Sequence, residues 1–307
     1  MKRFAIYTAC IGGYDEIHPP KVVGDQFDYF LFTDQLDNNR QVDDKDGVWK
    51  VVRIKVREGL SPILMARYIK THPQELLPQY DAWMWVDLNL TFVDSFFYNR
   101  FDEWYNGSNL LAVNPHPATD DVYEHIYEMC CFGFENDVTC LKVMRFLQEQ
   151  NYPAHYGLSE TGVLFRKNEP EIVSFDEQWW DCIHNLSRRD QFTFNYLLYK
   201  NRILWEYTLP IDEPARVSPH LIYGNHTSNA KRKMVQMSFD ENIRHKVRMR
   251  HPAIYIPFVE QYKRMSTHAN YQFRLKLWGW FRYSLLLLHP SYTYNLIKRK
   301  MKKLFSK

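Results

Sequence analysis

The hydrophobic pattern of this chain alternates between short apolar runs, which read as strands, and longer amphipathic stretches, which read as helices. Residues 4–9 form a first buried strand that runs into a loop containing Gly12 and Gly13. Residues 29–33 form a second strand closed by Asp34, and residues 49–56 a third with clean alternation. Ser61-Pro62 starts a helix, Ser serving as N-cap and Pro as first helical residue. The run Ala82-Trp83-Met84-Trp85-Val86 is apolar throughout, the composition of a central strand covered on both faces. Beyond it the pattern predicts a helix over 94–105, a strand over 109–114, and helices over 120–129 and 138–150. An apolar strand follows Glu160-Thr161-Gly162, then a helix with Trp179 and Trp180. The last helix of this region runs to about residue 199, with Ser187 as its candidate N-cap. The alternation predicts an α/β protein.

Where the central strand ends the polarity changes abruptly. Asp87 and Asn89 are two residues apart, so an extended chain projects both side chains to one side. Such an oxygen pair can hold a hard divalent cation at the carboxyl end of a strand, or it can simply open a turn. On the helix that Ser61 starts, Arg67 and Lys70 lie three apart on one face, placed to hold a diphosphate or to be solvated. Asp190 stands three residues after Ser187, where capping and dipole compensation are the plain alternative to chemistry.

Composition narrows the picture. With 307 residues, 45% hydrophobic and 24% charged, the chain can build one large domain with an appendage. Aromatic residues make up 16% and suit either sugar or base stacking or an ordinary core. The five cysteines, Cys10, Cys130, Cys131, Cys140 and Cys182, show no C-x-x-C pairing and no His at zinc spacing, which favours a reducing compartment without a structural metal. The amino terminus lacks the apolar core of a signal peptide, and no window of 18 apolar residues predicts a spanning helix. Charge is uneven: residues 261–307 hold eleven Lys or Arg and no Asp or Glu, leaving 28 basic against 36 acidic residues elsewhere. Domain boundaries at 1–260 and 261–307 follow from this shift. Tyr294, Ile297, Met301, Leu304 and Phe305 share a helical face in the tail, with lysines and arginines around them. That pattern suits a basic helical extension on an anionic membrane surface, or one solvated or docked on the acidic body. No nucleic-acid motif accompanies the basic run, so nucleic acid is not an expected partner.

Several motifs in sequence carry a resemblance. These are Tyr7-Thr8-Ala9 with Gly13-Tyr14-Asp15, Lys70-Thr71-His72-Pro73 through Trp85-Val86-Asp87-Leu88-Asn89, Leu158-Ser159-Glu160-Thr161-Gly162-Val163, Trp179-Trp180, and Ser187-Arg188-Arg189-Asp190-Gln191. Over roughly residues 4 to 230 the chain resembles nucleotide-sugar glycosyltransferases of the GT-A fold. The resemblance is to the plant mucilage and pollen-turgor glycosyltransferase-like family, a former domain of unknown function with bacterial members, and more distantly to family 8 glycosyltransferases. It implies a GT-A-like, Rossmann-type mixed sheet flanked by helices. It further implies a transferase moving a sugar from a nucleotide-sugar donor, most readily a UDP-sugar, to a glycan or lipid-linked acceptor in surface polysaccharide synthesis. A cytoplasmic location, peripheral on the inner face of the membrane, follows from that reading.

The resemblance also implies roles. Thr8 and Tyr14 border the nucleoside, Arg67 touches the donor with Lys70 beside it, and Asp87 and Asn89 approach a divalent cation, Mn or Mg. Asp190 and Gln191 face the transferred sugar, with Asn195 on the same helix. The family's second Asp is Asn89 here, a neutral ligand that weakens metal affinity. His226, in Gly224-Asn225-His226-Thr227, is the candidate third metal ligand with His220 second, and Lys231 is placed to reach a phosphate. An inverting reaction needs a carboxylate to take the acceptor's proton, and Asp190 and Glu160 are the candidates. A retaining reaction needs neither as base. The non-enzymatic alternative, favoured by Asn89, is a catalytically silent nucleotide-sugar or glycan-binding partner of an assembly complex.

Overall fold

The computed structural model describes residues 3–224, apart from 14, 16, 18–19, 36–47 and 132–133 and the side chains of 128, 131 and 137. Tyr14, His226, Lys231 and the basic tail therefore lie outside the described residues. Two compact units are present. The first comprises Met1–Pro117 with Leu158–Lys231, and the second includes Ala118–Gly157.

The first unit is built on a seven-stranded mixed sheet in the order β3-β2-β1-β4-β7-β6-β8. Its strands are β1 (Phe4–Cys10), β2 (Phe27–Thr33), β3 (Lys50–Arg53), β4 (Ala82–Val86), β6 (Leu111–Pro115), β7 (Ser159–Lys167) and β8 (Trp205–Tyr207). β1 to β4 are mutually parallel where they pair, while β7 runs antiparallel to both β4 and β6. A separate pair joins β5 (Leu90–Phe92) to β9 (Leu221–Tyr223), antiparallel. The helix-flanked mixed sheet is the architecture expected from the sequence. β5, β8 and β9, each three residues long, were not part of that expectation.

Strand β4 is buried on both faces by the strict period of two. Ala82, Met84 and Val86 pack with Phe4, Phe27, Phe101, Trp104 and Phe165 in the main apolar cluster, which α3 (Phe96–Asn106) supplies from one side. Trp83 and Trp85 face the other way, toward α1 (Pro62–Thr71) and α2 (Pro73–Leu76), where Trp83 Nε1 donates to the Leu77 carbonyl at 3.0 Å. α6 (Pro170–Asn185) packs on α1 and on α7 (Gln191–Asn201). Trp83, Trp104 and Trp179 are essentially sealed from solvent, and aromatic side chains of this size bury about 150–250 Å² each, making them the largest single contributors to the core. The second unit holds α4 (Val122–Cys131) and α5 (Asp137–Glu149), which pack on each other. Its Tyr123 hydroxyl donates to the Tyr152 carbonyl at 2.7 Å.

Two features of the sheet position the chemistry. The chain goes from β1 outward through β2 to β3, then returns to place β4 on the other side of β1. That reversal leaves a crevice at the carboxyl ends of β1 and β4, where ligands bind in open α/β sheets. Because β7 is antiparallel, its amino-terminal end meets the carboxyl end of β4, and Asp87 N donates to Gly162 O at 2.7 Å. The β6–β7 register shifts between Val113 and Asn114: Val113 pairs with Leu164, but Asn114 pairs with Glu160. This bulge breaks the alternation of β7, so that Val163 and Phe165 join the α3-side cluster while Thr161 reaches α7 instead.

Candidate active site

Helix α1 begins as the sequence predicts. Ser61 Oγ accepts from Leu64 N, and Pro62 occupies the first turn. Its far end is held from the sheet. The Lys70 carbonyl, one of the last acceptors a helix leaves unpaired, receives the Tyr7 hydroxyl at 2.7 Å and Arg166 Nη2 at 2.7 Å. Arg166 in turn pairs with Asp176 at 2.5 Å and donates to the Tyr7 hydroxyl, and both charged side chains of the pair are fully buried. Burial raises the Tyr7 pKa, outweighing the adjacent guanidinium, so its hydroxyl stays protonated and able to donate. The buried network fixes the helix end and with it the direction of the Lys70 side chain.

Lys70 is the centre of the site. Its ammonium lies 2.9 Å from Thr161 Oγ1, 2.9 Å from Asp190 Oδ2 and 3.5 Å from Asp87 Oδ1, and the side chain is 0% exposed. The rings of Trp85 and Trp179 stand 5.4 and 5.9 Å from it, a distance at which an aromatic face stabilises a cation. Arg67 Nη1 reaches the same Asp190 oxygen at 2.9 Å, with about a quarter of its side chain exposed. Thr161 Oγ1 donates to that oxygen at 2.7 Å. Burial works against a charged Asp190, but Arg67 and Lys70 together hold its carboxyl well below the usual carboxylate range.

That depression sets a pH expectation. A carboxylate whose folded pKa lies below its unfolded one contributes its stability in full above the unfolded value, about 3.9, and loses it as the pH falls through the lower folded value. The Asp190 carboxyl resonance is therefore expected to show no titration between about pH 4 and pH 8 by NMR. The stability gap between the native protein and Asp190→Asn is expected to hold over that window and shrink below it.

Asp87, Arg67, Lys70 and Asp190 converge on one cluster although far apart along the chain. Asp190 occupies the N-cap position of α7 without a side-chain capping bond, because its carboxylate is turned to the cations. Ser187 is not that cap; its hydroxyl accepts from Arg189 N in the loop before the helix. Gln191 is the first residue of α7 and is half-buried. Glu160, at the start of β7, is buried; its Oε1 accepts from Arg216 at 3.0 Å and from the Tyr223 hydroxyl at 3.3 Å. Its Oε2 is buried and has no hydrogen-bond partner among the described residues. Burial, with the charges of Glu160 and Asp87 nearby, raises the Tyr223 pKa. Thr8 lies buried on β1, and no hydrogen bond among the described residues ties it to the cluster. Thr161, Trp85, Arg216 and Tyr223 belong to the site but were not singled out as site residues in the sequence.

The segment after β4 does not stay extended. Leu90 N bonds back to the Asp87 carbonyl at 2.8 Å, closing a turn, so Asp87 and Asn89 do not project together. Asn89 Nδ2 donates to the Gly224 carbonyl at 3.1 Å, and its own carbonyl accepts from Gly224 N at 2.7 Å. Asp87 Oδ1 accepts from Trp85 Nε1 at 2.6 Å. His220 is stacked on Phe96 and bonded to Asp94 at 2.8 Å rather than joining Asp87. Among the described residues no group of three His, Cys, Asp or Glu is arranged to hold a metal ion. A divalent ion on Asp87 Oδ1 would also share that oxygen with the Lys70 ammonium 3.5 Å away, a like-charge repulsion of several kcal/mol, on the order of 6 or more at an effective dielectric constant of about 20. The described donors therefore do not fit a divalent cation. His226 lies outside them.

Gly162 explains the close approach of β7 to this turn. A Cβ there would stand 2.9 Å from Leu90 Cδ1 and 3.4 Å from Asp87 Oδ2. At the other end of the crevice, Gly12 has φ +69° and donates its N–H to Asp34 Oδ1 at 2.8 Å; a Cβ on it would stand 3.1 Å from Pro62 Cβ. The loops after β1 and β2 and the start of α1 thus meet one another.

Compared with protein-family models and with curated proteins, the chain has no match. Among solved structures it is similar to the apo form of mouse xyloside xylosyltransferase 1, with 11% identity over 66% of this chain and 83% of that one, and a TM-score of 0.40. No helix among the described residues is long and apolar enough to cross a membrane.

Proposed function

We propose that this protein is a glycosyltransferase that moves a sugar from a nucleotide-sugar donor, a UDP-sugar first among them, to a glycan or lipid-linked acceptor in surface polysaccharide synthesis. One observation carries the reading. Residues that the motif resemblance singles out, with Lys70 and Asp190 120 positions apart and Arg67 farther still from Asp190, meet around Lys70 beside the crevice where an open α/β sheet takes its ligands. The family resemblance is the second support, and the expected sites of Tyr14, Lys231 and His226 rest on it alone. The placing of the basic tail on the inner face of the membrane rests on its charge and amphipathic pattern.

The chemistry follows from the geometry. A nucleoside diphosphate leaves readily only when its growing negative charge is met by fixed cations. Arg67 is the partly exposed cation of the cluster, and so the group that reaches the diphosphate. Asp190 is a weak base with its pKa held low, whereas an efficient general base titrates near the working pH. Its part is to hold Arg67 and Lys70 in place and to accept a hydroxyl of the transferred sugar, with Gln191 beside it. If the reaction inverts, Glu160 takes the acceptor proton through its unpartnered Oε2.

A calorimetric titration with uridine diphosphate tests this. The native protein is expected to bind, and Arg67→Ala to bind about 10- to 100-fold more weakly, the effect of losing a charge-assisted contact of about 1.5–3 kcal/mol. A native protein that ignores uridine diphosphate would sink the proposal. Binding without turnover of any UDP-sugar in the presence of acceptor would favour the silent partner, the reading supported by the engagement of Asn89 with Gly224.

A further inference from the structure

The three charges nearest Lys70 pose an electrostatic problem that the site has already solved. Asp87 and Asp190 bring two negative charges to the floor of the crevice, and a diphosphate brings more. A site of two carboxylates would need a divalent cation before it could accept such a ligand. Here the ammonium of Lys70 stands between the two carboxylates, 3.5 Å from one and 2.9 Å from the other, with its third acceptor supplied by Thr161 at 2.9 Å. Arg67 adds the second positive charge on the partly exposed side. The two carboxylates are matched one for one by side chains of the same chain. The neighbour that would complete an oxygen pair with Asp87 is Asn89, and its amide nitrogen is given to the Gly224 carbonyl. One oxygen of Asp87 is given to Trp85 and faces Lys70.

We propose that the site binds its nucleoside diphosphate without a divalent cation, Lys70 supplying the positive charge beside Asp87. The proposal rests on the nucleotide-sugar reading above and deepens it. Lys70 is sealed beneath the surface, so it acts as the fixed counter-charge that leaves Arg67 free to face the ligand. Asp87, with about a third of its side chain exposed, orients Lys70 and is not a metal ligand. The Tyr7–Arg166 clamp on the Lys70 carbonyl keeps the ammonium in register with both carboxylates.

Uridine diphosphate is titrated into the full-length protein after exhaustive treatment with a chelator, and again with manganese chloride added. The dissociation constant is expected to agree within about twofold between the two conditions. A loss of about tenfold or more on chelation, restored by manganese, would overturn the proposal while leaving the nucleotide-sugar reading intact. No binding under either condition would overturn that reading and this proposal with it. Lys70→Ala supplies the complementary arm, since it leaves Asp87 and Asp190 facing a gap. Manganese alone is expected to raise the melting temperature of this variant and not of the native protein, and the variant's nucleotide binding is expected to become manganese-dependent. A folded variant that binds uridine diphosphate as tightly as the native protein without metal would also overturn the proposal. Should the variant not fold, the native titration decides.

Discussion

Asp190→Asn is expected to destabilise the protein by about 3–5 kcal/mol at neutral pH, the cost of removing one member of a buried, hydrogen-bonded charge cluster. The substitution keeps the shape and one hydrogen bond acceptor, so the loss comes from charge. Lys70 is left fully buried with only Asp87 at 3.5 Å as a counter-ion, and Arg67 loses its partner. Chemical denaturation checks the magnitude, and a fall in Tm on the order of 10 °C accompanies it. A change below about 1 kcal/mol would show that Asp87 alone compensates Lys70, and that the cluster is not organised around Asp190.

The second large effect lies deeper. Asp176→Leu is expected to cost about 3–5 kcal/mol, because it strands the Arg166 guanidinium inside the protein. Adding Arg166→Met is expected to recover most of that loss, since an apolar pair of similar volume removes both buried charges at once. The Tyr7 hydroxyl still holds the Lys70 carbonyl in the double variant. A double-mutant cycle by urea denaturation should return a coupling of about 2 kcal/mol or more between the two positions. Additive effects would mean that each charge is satisfied independently, and the two are not a pair in energetic terms.

Much of the scaffold could be read from the sequence, and the particular residues show why. The Ala82–Val86 run has no polar interruption, so its place in the sheet interior followed from composition alone, and the strand has those bounds. Ser61-Pro62 is a start signal whose two parts act locally, through one hydrogen bond and one fixed dihedral, and α1 begins there. β5, β8 and β9 were illegible because three-residue strands carry no periodicity; their pairing is decided by neighbours far along the chain. The site divides in the same way. Asp87 stood out at the end of the central strand and Arg67 and Lys70 by their spacing on one helix face, while the resemblance gave Asp190 its role; their convergence in one cluster is a tertiary fact. Arg166 carried its signal in the charge pair Arg166-Lys167 that closes the apolar Val163-Leu164-Phe165 run, with Asp176 ten residues later. The turn at Asp87 defeated the same-side argument for Asn89, since that argument holds only while the chain stays extended.

The irregular pairing of β7 with β6 makes the length of that strand as constrained as its chemistry. Between Glu160 and Leu164 the polypeptide changes which side of the sheet its odd-numbered residues serve, and Thr161 and Arg166 both depend on that change. Excising a single residue there would carry everything on one side of the break to the opposite face. The hydroxyl at the cations and the guanidinium under the helix could no longer be satisfied together. Substitutions in this stretch remove one contact at a time, whereas a one-residue deletion would dismantle the Lys70 charge cluster and its support in a single step.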